Sequence, residues 1–132
     1  MIALDTNVIV RFLVRDDEKQ ARVVYRRFKQ AESDKEPLFV PLVVVLESIW
    51  VLQSAYEKSR NEVLDSIEDL MRMPIFEFEK SDVLQRVLVD GRSHGIDLAD
   101  LLIAHSAQSS GCNGVITFDR KATRMPFYHL LN

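Results

Sequence analysis

Short hydrophobic runs alternate along the chain with longer segments whose apolar residues recur every three or four positions. The short runs predict strands at residues 2–5, 38–40, 75–78, 115–118 and 128–131. The longer segments predict helices at about 6–14, after a cap at Asp16 or Asp17, from Pro41 to about 55, after Ser59, at 81–93 and at 98–109. This alternation predicts an α/β fold: a three-layer α/β/α sandwich with a mostly parallel sheet of four or five strands.

Local signals mark several helix ends. Ser59 and Glu62 have the spacing of a capping box, in which each side chain satisfies a backbone N–H at the start of the helix. Ser81 and Asp97 are expected to cap the next two helices, and a glycine follows each of these helices. The order of the strands is left open by the pattern.

The composition favours one compact domain spanning residues 1–132, because 132 residues with 47% hydrophobic content support a single core and no repeat or linker interrupts them. The only cysteine, Cys112, cannot form an internal disulfide, which favours the reducing cytoplasm. No signal peptide is expected, since the first strand starts at residue 2, and the longest apolar stretch is shorter than the roughly 20 residues of a bilayer span.

Charge is distributed unevenly. The formal net charge is -3, but residues 1–30 contain seven basic and four acidic residues, which leaves -6 for the remainder. Divalent ions bound to an acidic pocket would invert the local field there, so a polyanionic substrate is compatible with this balance. The arginines of residues 1–30 have a second interpretation as a solvated helix face.

Two acids directly follow strands that are predicted to be buried. Asp5 precedes Thr6 and Asn7, and Asp119 lies two residues after Thr117, whose hydroxyl is placed to donate a hydrogen bond to a ligand carboxylate. The carboxyl ends of strands in open α/β sheets are where ligands bind. Each acid also has a structural interpretation, Asp5 as a helix cap and Asp119 as a turn residue.

Three further acids lie in predicted helices. Glu47 is surrounded by apolar residues in a helix that is expected to be largely buried, where an ionised carboxylate needs a cation or an ion pair with an arginine. Asp97 and Asp100 are three residues apart and can face the same way, although Asp97 can also serve as the helix cap. Carboxylates that share a pocket repel one another, so a divalent metal between them is predicted.

Other residues with chemical potential are interpreted as structural. His94, His105 and His129 are not expected to act as general bases. The aromatic residues are expected to pack in the core and not to stack on nucleic-acid bases; they are Phe12, Phe28, Trp50, Phe76 and Phe78.

Four segments together resemble the PIN domain, in particular the VapC-type toxin ribonucleases of toxin-antitoxin pairs. They are IALDTNVIVRFL, the apolar helix with Glu47, DLADLLIAHSAQSSGC and GVITFDRKA, and they span nearly the whole chain. The resemblance implies an α/β/α sandwich whose acids bind one or two Mg²⁺ or Mn²⁺ ions and hydrolyse RNA phosphodiester bonds. Carried over by position, the catalytic and metal-binding acids are Asp5, Glu47, Asp100 and Asp119, with Asp97 as an accessory acid and Thr6, Asn7 and Thr117 as supporting polar residues.

The resemblance also implies partners: an RNA substrate, a small antitoxin protein that covers the active site, and a second copy of the chain in a homodimer. Apolar surface on the first two helices is a candidate for such contacts. Basic residues that are candidates for binding flanking phosphates are Arg11, Arg15, Arg120, Lys121 and Arg124. The RNA that is cut cannot be identified from the pattern.

Other classes fit less well. A phosphatase of the haloacid dehalogenase type needs a second aspartate two residues after the first, where this chain has Asn7, and a response-regulator receiver needs an aspartate where the second strand ends in Pro41. The main alternative is a PIN-like module that binds RNA or protein without cutting. Cleavage of RNA that EDTA abolishes would distinguish the enzyme from the module.

Overall fold

The computed structural model describes the whole chain, Met1–Asn132, and its elements alternate as the hydrophobic pattern predicts. The strands are β1 (Ile2–Ala3), β2 (Leu38–Val40), β3 (Phe76–Phe78), β4 (Val115–Thr117) and β5 (Tyr128–Leu130). The helices are α1 (Thr6–Val14), α2 (Glu18–Asp34), α3 (Leu42–Ser54), α4 (Arg60–Met71), α5 (Ser81–Ser93) and α6 (Leu98–Ser109), with a short 3-10 helix at Ala122–Arg124. All strand pairs are parallel, which confirms the predicted parallel α/β fold.

The chain divides into two compact units, Met1–Glu79 and Lys80–Asn132. The first unit contains a three-stranded sheet in the order β1-β2-β3, in which Ile2 pairs with Leu38 and Phe39 pairs with Glu77. Helices connect the successive parallel strands, as such strands require. Because β2 is the central strand, Leu38 and Val40 are almost completely buried.

Aromatic packing supports the core of the first unit. Phe28 contacts Phe12 and Phe76 edge to face, with ring centroids 5.0 and 5.1 Å apart. Phe78 extends this cluster through Phe76. The expected core position of Trp50 is wrong, because 68% of this residue is exposed on the outer face of α3.

The strands that precede Asp5 and Asp119 are less buried than predicted. Both residues of β1 are exposed, since β1 is an edge strand of its sheet. In β4, Ile116 is exposed and its two neighbours are half-buried, because β4 belongs to a sheet of only two strands. The positions of these strands were predicted correctly, but the burial of β1 and β4 was not.

Most of the predicted caps form. Asp17 accepts the N–H of Gln20 at 3.0 Å at the start of α2, and Ser59 and Glu62 form the complete capping box of α4. The prediction for Ser81 is wrong: Ser81 is the first residue of α5, and the preceding Lys80 has a left-handed backbone with no side-chain cap. Glu79 supplies the missing cap of α3, since its carboxylate accepts the N–H of Leu42 at 2.8 Å.

The second unit packs α5 and α6 together and pairs β4 with β5. His105 of α6 is buried and lies 2.5 Å from a carboxylate oxygen of Asp90 on α5. Tyr128 of β5 packs in a cluster with Ala104 and Ala122. No helix in either unit combines the length and the apolar character needed to cross a lipid bilayer.

Candidate functional site

Asp5 lies between β1 and α1, where it is the N-cap of α1. Its Oδ1 accepts the backbone N–H of Thr6 at 2.7 Å, and the side chain is exposed. The predicted capping role is therefore present. One carboxylate oxygen is occupied by this cap, and the other has no partner among the protein groups.

Thr6 connects Asp5 to Glu47, although the chain positions of these acids are far apart. The Thr6 side chain is buried, with 7% exposed, and its hydroxyl donates a hydrogen bond to Oε1 of Glu47 on α3. The backbone of Thr6 thus contacts one acid and its side chain contacts the other. This arrangement places the first two predicted acids next to one buried residue.

Glu47 is not buried as the apolar character of α3 suggested. It is exposed, as are Val43 and Trp50 one turn before and after it. The opposite face of α3, with Val45, Ile49 and Leu52, is buried. Glu47 consequently needs no ion pair with an arginine, and its carboxylate is accessible to a solvent-borne ligand.

Arg11 is held by a network within the first unit. Its guanidinium donates to Gln20 at 2.6 Å, and to Asp16 and the Tyr56 hydroxyl at 3.1 Å each. The Tyr56 hydroxyl also donates to Asp16 at 2.7 Å. Because these contacts occupy Arg11, binding of a flanking phosphate by this residue would have to replace some of them.

Asp97 and Asp100 lie at the start of α6 in the second unit. Oδ1 of Asp97 accepts the N–H groups of Ala99 at 2.9 Å and Asp100 at 3.3 Å, so the capping interpretation of Asp97 is correct. The side chain of Asp100 forms no bond to the protein and is half-buried. Of these two acids, Asp100 is the one whose whole carboxylate is available.

Negative charge accumulates around Asp100. Partial burial, followed by repulsion from Asp97 and Asp119, raises the pKa of the Asp100 carboxyl above its usual range. Burial, followed by repulsion from the carboxylates of Asp100 and Asp97, raises the pKa of the Tyr128 hydroxyl to about 12. Tyr128 therefore keeps its proton, which it donates to the backbone carbonyl of Asp100 at 2.5 Å.

Asp119 follows β4 and forms the predicted turn. Its Oδ1 accepts the N–H of Lys121 at 2.9 Å, and its own N–H donates to the Thr117 hydroxyl oxygen at 3.0 Å. The expected donation from the Thr117 hydroxyl to a carboxylate is not observed; its oxygen accepts the N–H of Asp119. Thr117 thus orders the backbone of Asp119, and the second carboxylate oxygen of Asp119 has no protein partner.

The remaining predicted residues are placed at the surface. Asn7 is exposed and lines a small cavity with Asp5 and Arg11. The side chains of Arg15, Arg120, Lys121 and Arg124 are exposed. Arg124 lines a separate cavity of the second unit that also includes Asp90 and His94.

Tyr128 was not identified as a site residue from the sequence. The pattern indicated only that it begins a short strand. Its contact with Asp100 joins positions 28 residues apart, so no local spacing signals it. A tyrosine at a strand position shortly after the last acid is the only available hint.

The donor chemistry of both units fits a hard divalent cation. Carboxylate oxygens are the ligands that Mg²⁺ and Mn²⁺ prefer, and the candidate acids offer oxygens that the protein does not use. A cation near Asp100 would also offset the repulsion from Asp97 and Asp119. The structure contains no group of three or more His, Cys, Asp or Glu side chains that is placed to hold a metal ion.

Comparisons with known proteins find matches over nearly the whole chain. The model of the PIN domain family matches residues 2–128. A protein named VapC ribonuclease, from Aquifex aeolicus (strain VF5), is 27% identical to this chain over 128 residues. The match covers 96% of this chain and 93% of the relative.

Proposed function

This chain belongs to the PIN domain family, and on that premise we propose that it is a metal-dependent endoribonuclease that hydrolyses RNA phosphodiester bonds. Its similarity to a VapC ribonuclease supports the nuclease activity. The observation that carries the proposal is the contact of buried Thr6 with both Asp5 and Glu47. Thr6 thereby links Asp5, the N-cap of α1, to Glu47, which lies 42 positions further along the chain.

Asp5, Glu47, Asp100 and Asp119 are the proposed catalytic and metal-binding residues, with Asp97 as an accessory. They would hold one or two Mg²⁺ or Mn²⁺ ions, which in such sites activate a water molecule and stabilise the leaving oxygen. The first two of these acids belong to the first unit, and the last two belong to the second. If all four act in catalysis, cleavage should be lost when any one of them is changed to its amide.

The other residues of the site would position these acids. Thr6 orients Glu47 through its hydroxyl, and Tyr128 fixes the backbone of Asp100. Thr117 and the Asp119 turn set the direction of the last carboxylate. Residues that orient ligands in this way typically contribute 10- to 100-fold to metal affinity or activity, as an order of magnitude.

A cognate antitoxin, a homodimer and a cytoplasmic location complete the proposal. The name of the relative, VapC ribonuclease, supports a toxin role. The exposed apolar residues Val43 and Trp50 flank Glu47 on α3 and supply a surface that a protein partner would cover. Copurification with the product of an adjacent small gene, together with a mass measurement of the free chain, tests these partners.

Incubation of the purified chain with a mixed RNA pool tests the activity. We expect cleavage in Mg²⁺ or Mn²⁺, none in EDTA, and none with Asp5→Asn or Asp100→Asn. Asp69→Asn is the matched control, because Asp69 is an exposed acid at the end of α4. Binding of RNA without cleavage by any variant would support the non-catalytic module instead.

A further inference from the structure

Half of the residues that line a groove in the first unit are arginines. The groove has a volume of about 520 Å³ and lies along α2 and the turn before it. Its lining residues are Arg15, Glu18, Ala21, Arg22, Tyr25 and Arg26. Buried Ala21 lies among them, and the charged residues are exposed.

The three groove arginines are not neutralised by the protein. Other basic residues of the same region have acidic partners: Arg11 pairs with Asp16 at 3.1 Å, and Arg27 pairs with Glu36 at 2.8 Å. Arg15, Arg22 and Arg26 have no ion pair or side-chain hydrogen bond. With Glu18 as the only acid, the groove carries a net charge of +2 on a chain whose net charge is -3.

Tyr25 adds an aromatic surface between these arginines. It is 47% exposed, and the Lys29 ammonium lies over one face of its ring, 5.5 Å from the centroid. An exposed aromatic ring flanked by cations is the combination that single-stranded nucleic acid recognises, since phosphates bind the cations and a base stacks on the ring. An acidic peptide would use the arginines but would gain little from the ring.

The geometry of α2 sets a spacing between its groove arginines that suits successive phosphates of a single-stranded nucleic acid. Arg22 and Arg26 are one turn apart on α2, a rise of about 6 Å along the axis. Their guanidinium groups can therefore contact separate phosphates of one chain. Arg15 is the C-cap of α1, where it has a left-handed backbone, and it lines the same groove.

We propose that the groove of Arg15, Arg22, Tyr25 and Arg26 is a binding site for a single-stranded segment of RNA, in which phosphates contact the arginines and one base stacks on Tyr25. This inference rests on the proposed ribonuclease function and names a site for substrate outside the acidic residues. Glu18 limits how closely a phosphate approaches that side of the groove, which favours Arg22 and Arg26 as the main contacts.

Fluorescence anisotropy with a labelled single-stranded RNA of mixed sequence tests the site. The titrations are made in EDTA, so that no cleavage is needed, and over a range of salt concentrations. We compare Arg22→Gln/Arg26→Gln with the matched control Lys58→Gln/Lys80→Gln, which changes the net charge equally on exposed residues outside the groove. Thermal unfolding curves of each variant verify that the chain folds.

The groove variant should bind RNA more weakly, and its slope of log K against log salt should be smaller by about 1.4, or about 0.7 for each lost phosphate contact. Tyr25→Ala should weaken binding on the order of tenfold, whereas Tyr25→Phe should bind like the wild type. Equal losses in the groove and control variants would overturn the site. Tighter binding of a polyglutamate peptide than of RNA, lost in the groove variant, would assign the groove to an acidic protein segment instead.

Cleavage in Mg²⁺ separates this inference from the proposed function. If both hold, the groove variant has a higher KM and an unchanged kcat. If the groove binds RNA in EDTA but the wild type leaves RNA intact in Mg²⁺, the ribonuclease proposal is wrong and the groove is still an RNA-binding site. If the groove variant cleaves RNA with the wild-type KM, the groove is not a substrate-binding site, and the ribonuclease proposal is unaffected.

Discussion

The two units hold their candidate acids in different ways. In the first unit, a side chain orients Glu47, since the buried Thr6 hydroxyl donates to it, whereas Asp5 accepts the backbone N–H of Thr6. In the second unit, the bonds involve the backbone: the Tyr128 hydroxyl contacts the carbonyl of Asp100, and the turn after β4 directs Asp119.

This difference indicates which substitutions should affect each unit most. In the first unit, the Thr6 hydroxyl orients the Glu47 carboxylate directly. The second unit fixes the chain and leaves the carboxylate of Asp100 free beside two other negative charges. Removal of an orienting group should therefore reduce activity more in the first unit, and removal of charge should relieve repulsion in the second.

The largest effect is expected for the acids themselves. Asp100→Asn should reduce RNA cleavage by more than about 100-fold, because even the residues that orient metal ligands contribute about 10- to 100-fold. Initial rates in saturating Mg²⁺, with Asp69→Asn as the control, measure this effect. Cleavage by Asp100→Asn within about threefold of the wild type would remove Asp100 from the proposed site.

Thr6→Val should have the next largest effect. Valine keeps the shape of threonine but removes the hydroxyl that orients Glu47, so cleavage should fall about 10- to 100-fold. Thr6→Ser, which retains a hydroxyl, should recover most of the rate. Equal rates for the valine and serine variants would show that the hydroxyl does not orient a catalytic group.

Tyr128→Phe should have a smaller effect on activity and a measurable effect on stability. It removes the hydrogen bond to Asp100 but keeps the ring in its cluster with Ala104 and Ala122. We expect a loss of about 1 kcal/mol in the free energy of unfolding and a decrease in cleavage of at most about tenfold. Denaturant unfolding and initial rates test both, and Tyr25→Phe, which removes a hydroxyl from an exposed tyrosine, is the control.

The sequence predicted the parts of this arrangement that depend on neighbouring residues. The caps at Asp17 and Asp97 and the Ser59–Glu62 box are local, and they form as expected. The Thr6–Glu47 and Tyr128–Asp100 contacts join distant positions, so no spacing reveals them.

The exposure of Glu47 shows a second limit. Helix α3 is apolar around most of its circumference, and this composition predicted burial on all sides. One face of α3 is nevertheless open, with Val43, Glu47 and Trp50 exposed along it. Composition does not say which face neighbouring elements cover, because that depends on how the helix packs on the sheet.

The smallest predicted effect concerns the repulsion between Asp100 and its neighbouring acids, which should change the thermal stability of the protein. Because burial and neighbouring acids raise the pKa of Asp100, the folded chain binds this proton more tightly than the unfolded chain does. The resulting stabilisation is complete below the usual pKa of an aspartate and is lost as the pH rises through the raised value. At neutral pH the ionised Asp100 therefore destabilises the metal-free protein, so Asp100→Asn should unfold at a higher temperature in EDTA.

The gain from Asp100→Asn should be less than about 1 kcal/mol, because solvent screens a half-exposed charge and the N-terminal dipole of α6 partly favours it. It should shrink as the pH falls below the usual aspartate pKa, where Asp100 is protonated in both states. Thermal unfolding in EDTA across this pH range, with Asp69→Asn as the control, measures the difference. A stability gain of equal size at acidic pH would mean that Asp100→Asn stabilises the protein through packing and not by removing charge repulsion. The repulsion around Asp100 would then not distinguish the second unit from the first.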